Sequence, residues 1–347
     1  MEGEDPADPG SPAVALRDLG ERGLIERVRR GTPTPRPAVL VGIGDDTAAV
    51  AWPAGPLLLL TTDTLVEDVH FRRATASLRD VGAKALAVNV SDIAAMGGEP
   101  RFALLALACP GRTRLADIEE LYAGIRDVAE RFGVELIGGD TCATPDRIVL
   151  TVTVAGEVDG SPVTRRGARP GDAILVTGTL GASAAGLAAL EQQPAGLSAK
   201  TAEEVHQAHR RPTPRLDEGR LIRLSGAATA MIDLSDGLAT DLAHIAEESG
   251  VGARVRLAAL PVSDATREVA RLLGRVAWEW AVSGGEDYEL CFTADRAQAG
   301  TLATRITAET STPVSVVGEV RPRAEGVTFV DESGRAVEVR PGFEHFR

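Results

Sequence analysis

Past a proline-rich connector (GTPTPRPAV), the chain alternates short apolar runs of strand length with longer stretches of helical period. Runs at 57–62, 102–108, 134–137 and 148–154 read as strands, with helices at 77–95 and 115–131 between them. The second half opens with a strand at 173–176 and a glycine-dotted turn and helix at 178–190, then a polar stretch through Pro214. An apolar strand at 228–232, a helix from about Gly237 and strands near 288–293 and 314–317 complete the pattern. Strands alternating with helices in both halves predict α/β or α+β layers. The Gly-, Pro- and Arg-rich segment 159–172 (DGSPVTRRGARPGD) marks the division between the halves. The expected organisation is a disordered tail over 1–15, a first domain over 16–158 that begins with helical spacing at 16–29, and a second over 159–347. GGD then VAGEV (138–140, 154–158) is echoed by GGED then VVGEV (284–287, 316–320), a match short enough to arise by chance, which leaves duplication open without establishing it.

The helix at 77–95 repays a closer reading. Ser77 is placed as its N-cap with Asp80 three residues on, and Gly97-Gly98 closes it. At about 100° per residue, Leu78, Val81, Ala85 and Val88 form one apolar stripe. Asp92 falls within that stripe with Asn89 beside it, while Lys84 and Ser91 are expected to point away. A carboxylate on a core-facing side is costly unless paired or metal-bound, which favours a ligand over a satisfied core residue.

Composition narrows the function classes. A chain of 347 residues, 44% hydrophobic and 25% charged, is globular and long enough for two domains. No run approaches the roughly 18 apolar residues of a membrane span. The acidic start (MEGEDPADPGSP) is unlike a signal peptide, so a cytoplasmic setting is expected. Cys109, Cys142 and Cys291 lie far apart, which argues for small buried side chains over a disulfide framework or a zinc site. A formal charge of −13 argues against nucleic acid. Lys84 and Lys200 are the only lysines. There is no GxxxxGK[ST] loop, no HRD or DFG set and no candidate for a protein-kinase Lys–Glu bridge. Any handling of ATP must therefore rely on carboxylate-held Mg²⁺ and on arginine.

Aspartates cluster where strands end or glycines gather: Asp45 and Asp46 in GIGDD, Asp63 in TTDT, Asp92, Asp140 in GGDT, and Asp233 and Asp236 in DLSDG. Each alone is more readily a cap or a turn than a ligand. Asp63 is expected at the exit of a strand, with Thr61 and Thr62 beside it. GGD at 138–140 is expected in the turn after the strand ELI, where bare backbone either approaches a phosphate or simply turns. GTLGAS (178–183) is a weak candidate for a phosphate cradle at a helix N-terminus. Arg165 and Arg166 either clamp phosphate or form a solvated patch, and His70 stays open between ligand, substrate contact and surface.

Nine stretches, GIGDD, TTDTLVEDVHF, KALAVNVSDIAAMGGEP, LIGGDT, TRRGARPGD, VTGTLGASAAGL, IDLSDGLATDL, SGGEDYEL and GFEHF, run in one order over nearly the whole chain outside the tail. Together they resemble the thiamine-monophosphate kinase family of the aminoimidazole-ribonucleotide-synthase-like superfamily. The resemblance implies a two-domain α/β fold whose first domains pair in a homodimer. It implies direct transfer of the γ-phosphate of ATP to thiamine phosphate, the last step in making thiamine diphosphate. By motif match, Asp46, Thr61, Thr62, Asp63, Asp92, Asp140, Asp233 and Asp236 would be ligands to several Mg²⁺ ions, with Asp63, Asp92 and Asp236 at the chemistry. Tyr122, Gly139, Asp140, Arg165 and Ser235 would contact ATP, and His70, Glu286 and Phe343 thiamine phosphate. The rivals are another ATP-using synthase or ligase of the superfamily, or a nucleotide-binding maturation factor. A reactive cysteine near the N-terminus or at the C-terminal end, which two of these would want, is absent from the sequence.

Overall fold

The computed structural model describes residues 38–344 except 53 and 54, with isolated positions before them. The expected tail at 1–15 lies outside the described residues, as do nearly all of 16–29, the connector up to residue 37 and the last residues of GFEHF. No described helix is long and apolar enough to cross a membrane.

The first sheet is built from β1 (Val39–Val41), β2 (Ala48–Ala51), β3 (Leu57–Val66), β4 (Glu99–Pro110), β5 (Glu135–Thr144) and β6 (Val149–Val158), in the order β1-β2-β3-β6-β4-β5. Two helices, α1 (Leu78–Ala95) and α2 (Leu115–Phe132), pack on each other, with α1 also on the sheet. Gly82 and Gly124 permit this approach, since a Cβ at either would lie within 2 Å of the partner helix's backbone oxygen. The core of this half interleaves Leu59, Leu65, Leu105, Leu107, Leu150 and Val152 with Leu86, Val90 and Ile93. β4 and β5 run parallel, joined by α2, whereas the other pairs in this sheet are antiparallel.

The second sheet comprises β7 (Ala173–Thr177), β8 (Ala228–Asp233), β9 (Gly252–Arg256), β10 (Leu290–Ala294), β11 (Val314–Arg321), β12 (Val327–Val330) and β13 (Ala336–Val337). Its order is β13-β12-β9-β11-β7-β10-β8. Around it lie α3 (Ala182–Gln192), α4 (Ala199–Arg210), α5 (Leu216–Ser225), α6 (Leu238–Ser249), α7 (Asp264–Leu272), α8 (Ala277–Ser283) and α9 (Arg296–Thr310). The layered α/β expectation holds. The GEV echoes both fall in sheet interiors, in β6 and β11, where Gly156 and Gly318 face neighbouring backbone too closely for a Cβ.

Several expected boundaries move. The polar stretch before Pro214 is mostly α4, whose N-cap Ser198 accepts from Thr201 N and whose Val205 is fully buried. Its polar residues outnumber its apolar ones, so composition hid the stripe. Asp63 lies inside β3 and not at its exit, because the strand continues to Val66. GGD is strand and not turn, since β5 runs on alongside β4 to Thr144. The strand expected from Tyr288 starts at Leu290. Cys142 is exposed, contrary to expectation, and Cys291 is buried.

Candidate active site

The site is assembled around α1. Ser77 caps that helix and shares a reciprocal box with Asp80, as the sequence indicates. The helix is buried almost all round, because α2, β3, α5 and β8 pack against it. Lys84 and Ser91 are consequently 4% and 0% exposed, which corrects their outward assignment. Ser91 Oγ donates to Asp233 Oδ2 at 2.7 Å, joining α1 to the end of β8 across 142 residues. One residue on, Asp92 Oδ2 accepts from Thr61 Oγ1 of β3 at 2.5 Å.

Asp46, in the turn between β1 and β2, completes a group with Asp92 and Asp233 in which one carboxylate oxygen from each lies within 4.8 Å of the others. Alternation along β3 turns Asp63 to the same side as Thr61. Burial, followed by repulsion from Asp63, Asp233 and Asp46, pushes the Asp92 carboxyl well above the ordinary range. Asp233 is raised by burial and then by Asp46, and Asp63 by burial against the hydrogen bond it shares with Asp92. Asp45 is pushed up to about 7 by burial and the adjacent Asp46. Arg165 is the counter-charge: its Nη2 donates to Asp46 Oδ1 at 2.7 Å and its backbone N to Asp45 Oδ2 at 3.2 Å. Of the adjacent pair Arg165 and Arg166, Arg165 is thus drawn into the site, and Arg166 stays exposed.

Three expected ligands lie apart from this group. Thr62 faces the opposite side of β3, where its Oγ1 donates to Val152 O at 3.1 Å and meets Thr153 Oγ1 at 2.9 Å. Asp140 is exposed on β5. Asp236 follows Asp233 on a loop that Asp241 holds, its Oδ2 accepting from Asp236 N at 3.1 Å and Gly237 N at 3.0 Å. Ser235 shares this loop, and its carbonyl accepts from Glu286 N at 2.6 Å.

Tyr122, Gly139 and Asp140, expected together, line one cavity of about 360 Å³ with Leu105, Leu136 and Thr141. Gly139 is required there, because a Cβ would stand 1.8 Å from Leu105 O. The other glycine-rich candidate fails as a phosphate cradle. At the start of α3 the donors of GTLGAS are taken by Asp287, whose carboxylate accepts from Gly181 N at 2.6 Å and Ser183 N at 3.3 Å.

Glu286 and Tyr288 both adopt left-handed backbone, with φ of 58° and 50°, next to Gly285 at 50°. Such strain persists only where surroundings impose it. Here Lys84 Nζ donates to Glu286 Oε1 at 2.7 Å, and His209 Nδ1 lies 3.4 Å from Oε2. Burial pushes Glu286 up, but Lys84, then His209 and more distantly His70, bring it below the usual glutamate value. A Lys–Glu bridge therefore exists, spanning 202 residues and unlike that of protein kinases. Sequence reasoning missed Lys84 and His209 because no local pattern connects them to Glu286. Phe343 is half-exposed on the C-terminal segment, its N donating to Asp236 O at 3.1 Å.

The chain matches the N-terminal domain of AIR synthase related proteins over residues 44–158 and their C-terminal domain over 169–331. It is 40% identical to thiamine-monophosphate kinase of Bacillus subtilis, over 89% of this chain and 94% of that one. Against thiamine-monophosphate kinase of Escherichia coli K12 identity is 40%, over 94% and 98%. Among solved structures, AaThiL complexed with AMPPCP and TMP superposes with a TM-score of 0.84 at 34% identity, covering 96% of this chain and all of that one.

Proposed function

The chain belongs to the thiamine-monophosphate kinase family of AIR synthase related proteins, and we propose that it phosphorylates thiamine phosphate from ATP to give thiamine diphosphate and ADP. The observation that carries this reading is the full-length likeness to a structure holding AMPPCP, a methylene analogue of ATP, together with TMP, thiamine phosphate.

The acceptor phosphate is already an anion at neutral pH. Its oxygen attacks the γ-phosphorus in line as the bond to the β–γ bridging oxygen breaks, and ADP leaves with that electron pair. No strong general base is needed. The obstacle is repulsion between anions at a site rich in carboxylates. The residues fit hard divalent cations: oxygen donors from Asp46, Asp92 and Asp233 converge, with Thr61 and Asp63 adjoining, and mutual repulsion raises their affinity for positive charge. We propose that these groups, with Asp236 nearby and Thr62 and Asp140 as outlying members, hold several Mg²⁺ ions. Bound there, Mg²⁺ would neutralise the polyphosphate and acceptor phosphate.

The remaining roles follow from placement. Tyr122, Gly139 and Asp140 would border the nucleotide in their shared cavity. Arg165, already at the edge of the carboxylate group, would move part of its charge onto phosphate, with Ser235 beside Asp233. His70, Glu286 and Phe343 would contact thiamine phosphate. A division after residue 158 agrees with the membership of the two sheets. Homodimer formation through the first domain is supported by an exposed apolar set on its sheet, Leu60, Phe102, Leu104 and Ile137. A cytoplasmic setting is proposed from the ATP-dependent biosynthetic step and the unpaired thiols. The direct test is whether ATP consumption by the purified protein depends on thiamine phosphate, with free thiamine as the control. ATP turnover indifferent to thiamine phosphate would favour the maturation-factor alternative.

A further inference from the structure

Asn89 lies on α1 one turn before Asp92 and is 0% exposed. Its amide is only half satisfied. Nδ2 donates to Ala85 O at 3.0 Å, while Oδ1 finds no partner within the protein. Among the described residues just two other buried side-chain atoms share that state, Thr47 Oγ1 and His206 Nε2, so it is an exception to the way this fold treats its polar groups. Leaving a buried acceptor unpaired is costly, and a native chain keeps one where an ion, a ligand or an ordered water completes it.

The place of Asn89 on the helix narrows the choice. At about 100° per residue, it is turned about 60° from Asp92 and about 40° from Ile93. Ile93 packs into the core of the first half, and Asp92 meets Thr61 and Asp63 of β3. Asn89 therefore occupies the corner between that core and the carboxylate group. With Nδ2 tied back to the preceding turn, Oδ1 is the end of the amide left to face this corner. The contrast with Ser91, on the other flank of Asp92, is instructive. Ser91 brings a hydroxyl donor and is paired with Asp233. Asn89 brings an acceptor, and an ionised carboxylate, which only accepts, cannot pair with it. The side-chain cations of the neighbourhood are already engaged, Lys84 with Glu286 and Arg165 with Asp46. A protein-bound divalent cation such as Mg²⁺ keeps several of its waters, and each of these is a donor.

We propose that Asn89 is a positioning residue of the metal site, its Oδ1 accepting from a water on a divalent cation held by the Asp92 group. This rests on the metal reading of that group and adds to it a residue that carries no charge. Its oxygen steadies the hydrated cation without adding to the repulsion among Asp46, Asp63, Asp92 and Asp233.

The test uses the full-length protein with Mn²⁺ alone, uptake being followed by electron paramagnetic resonance of the free ion, beside thermal melts with and without Mg²⁺. Neither measurement needs ATP or thiamine phosphate. Asn89→Leu keeps the bulk and removes the oxygen. It should weaken the tightest Mn²⁺ site at least about tenfold, the low end for losing a group that supports a metal and its ligands. Its apo Tm should hold or rise, because the unpaired acceptor is gone. A merely structural asparagine gives the reverse, a lower apo Tm with Mn²⁺ affinity intact. Asn89→Asp restores an oxygen and adds a charge, so it should bind Mn²⁺ at least as tightly as wild type while lowering the apo Tm. A wild type that binds Mn²⁺ and an Asn89→Leu variant that binds it equally well would overturn this proposal alone. Should the leucine variant not fold, an Asn89→Asp variant binding Mn²⁺ more weakly than wild type would do the same. A wild type that takes up no Mn²⁺ would overturn the metal reading of the carboxylate group and this proposal with it.

Discussion

Replacing Asp92 by Asn separates the catalytic and structural readings of the carboxylate group. At the 4.8 Å that bounds the oxygens of Asp46, Asp92 and Asp233, two full charges repel by about 3.5 kcal/mol at an effective dielectric of about 20. In the metal-free protein part of that cost is avoided by protonation, the reason the Asp92 carboxyl is raised. Asn is close to an isostere of the protonated acid, and its side-chain oxygen still accepts from Thr61. The variant should therefore relieve about 1–2 kcal/mol of residual strain without opening a cavity. For a chain of this size that corresponds to an apo Tm unchanged or up by at most about 6 °C. Turnover should fall at least about 100-fold, since the position would stabilise transition-state charge. Thermal melts with and without Mg²⁺, alongside thiamine diphosphate formation, read both effects, and Mg²⁺ should raise Tm in wild type but much less in the variant. Turnover near wild type, or an apo Tm lower by more than about 5 °C, would refute the reasoning and leave Asp92 a satisfied core residue. Asp63→Asn should behave alike.

Burial holds Asp287 at about 7 against an ordinary 3.8, so its contribution to stability is fully present below 3.8 and is lost as pH rises through 7. Melts between pH 4 and 7, roughly the span between the unfolded and folded values, should fall in wild type and fall less steeply in Asp287→Asn; equal slopes would contradict the assignment. Glu286→Gln and Phe343→Ala should raise KM for thiamine phosphate about tenfold and leave that for ATP within a few-fold. Collapse of ATP binding would instead move Glu286 into the metal group. Ile137→Glu on the exposed face of the first sheet should convert a dimer to a monomer in size-exclusion with light scattering, and an unchanged mass would exclude that face.

The layered fold and α1 were legible because their signals are local: a cap three residues from its partner, a stripe with one carboxylate in it, apolar runs of strand length. Where several surfaces converge, local periodicity fails. Lys84 reads as outward on any helical projection, yet α1 is enclosed by β3 before it and by α2, α5 and β8, which arrive later in the chain. Asp63 looked terminal because apolarity ends at Leu60, whereas pairing with β6 carries β3 to Val66. The aspartates of the site could be named from the motifs, but not which of them meet. That depends on β8 delivering Asp233 to Ser91, and on Arg165 reaching back from beyond the first sheet to Asp46. The fate of GTLGAS was illegible for the same reason, its cap coming from Asp287 more than a hundred residues on.

Every role assigned to the site depends on direct transfer of the γ-phosphoryl group of ATP to thiamine phosphate. Phosphorus-31 NMR of the purified protein with Mg²⁺, ATP and thiamine phosphate follows every phosphorus at once. The γ-phosphorus signal of ATP should be lost as the two resonances of thiamine diphosphate grow in, with ADP formed in equal amount and neither AMP nor free phosphate ahead of it. Appearance of AMP with pyrophosphate, or of phosphate and ADP without thiamine diphosphate, would contradict it.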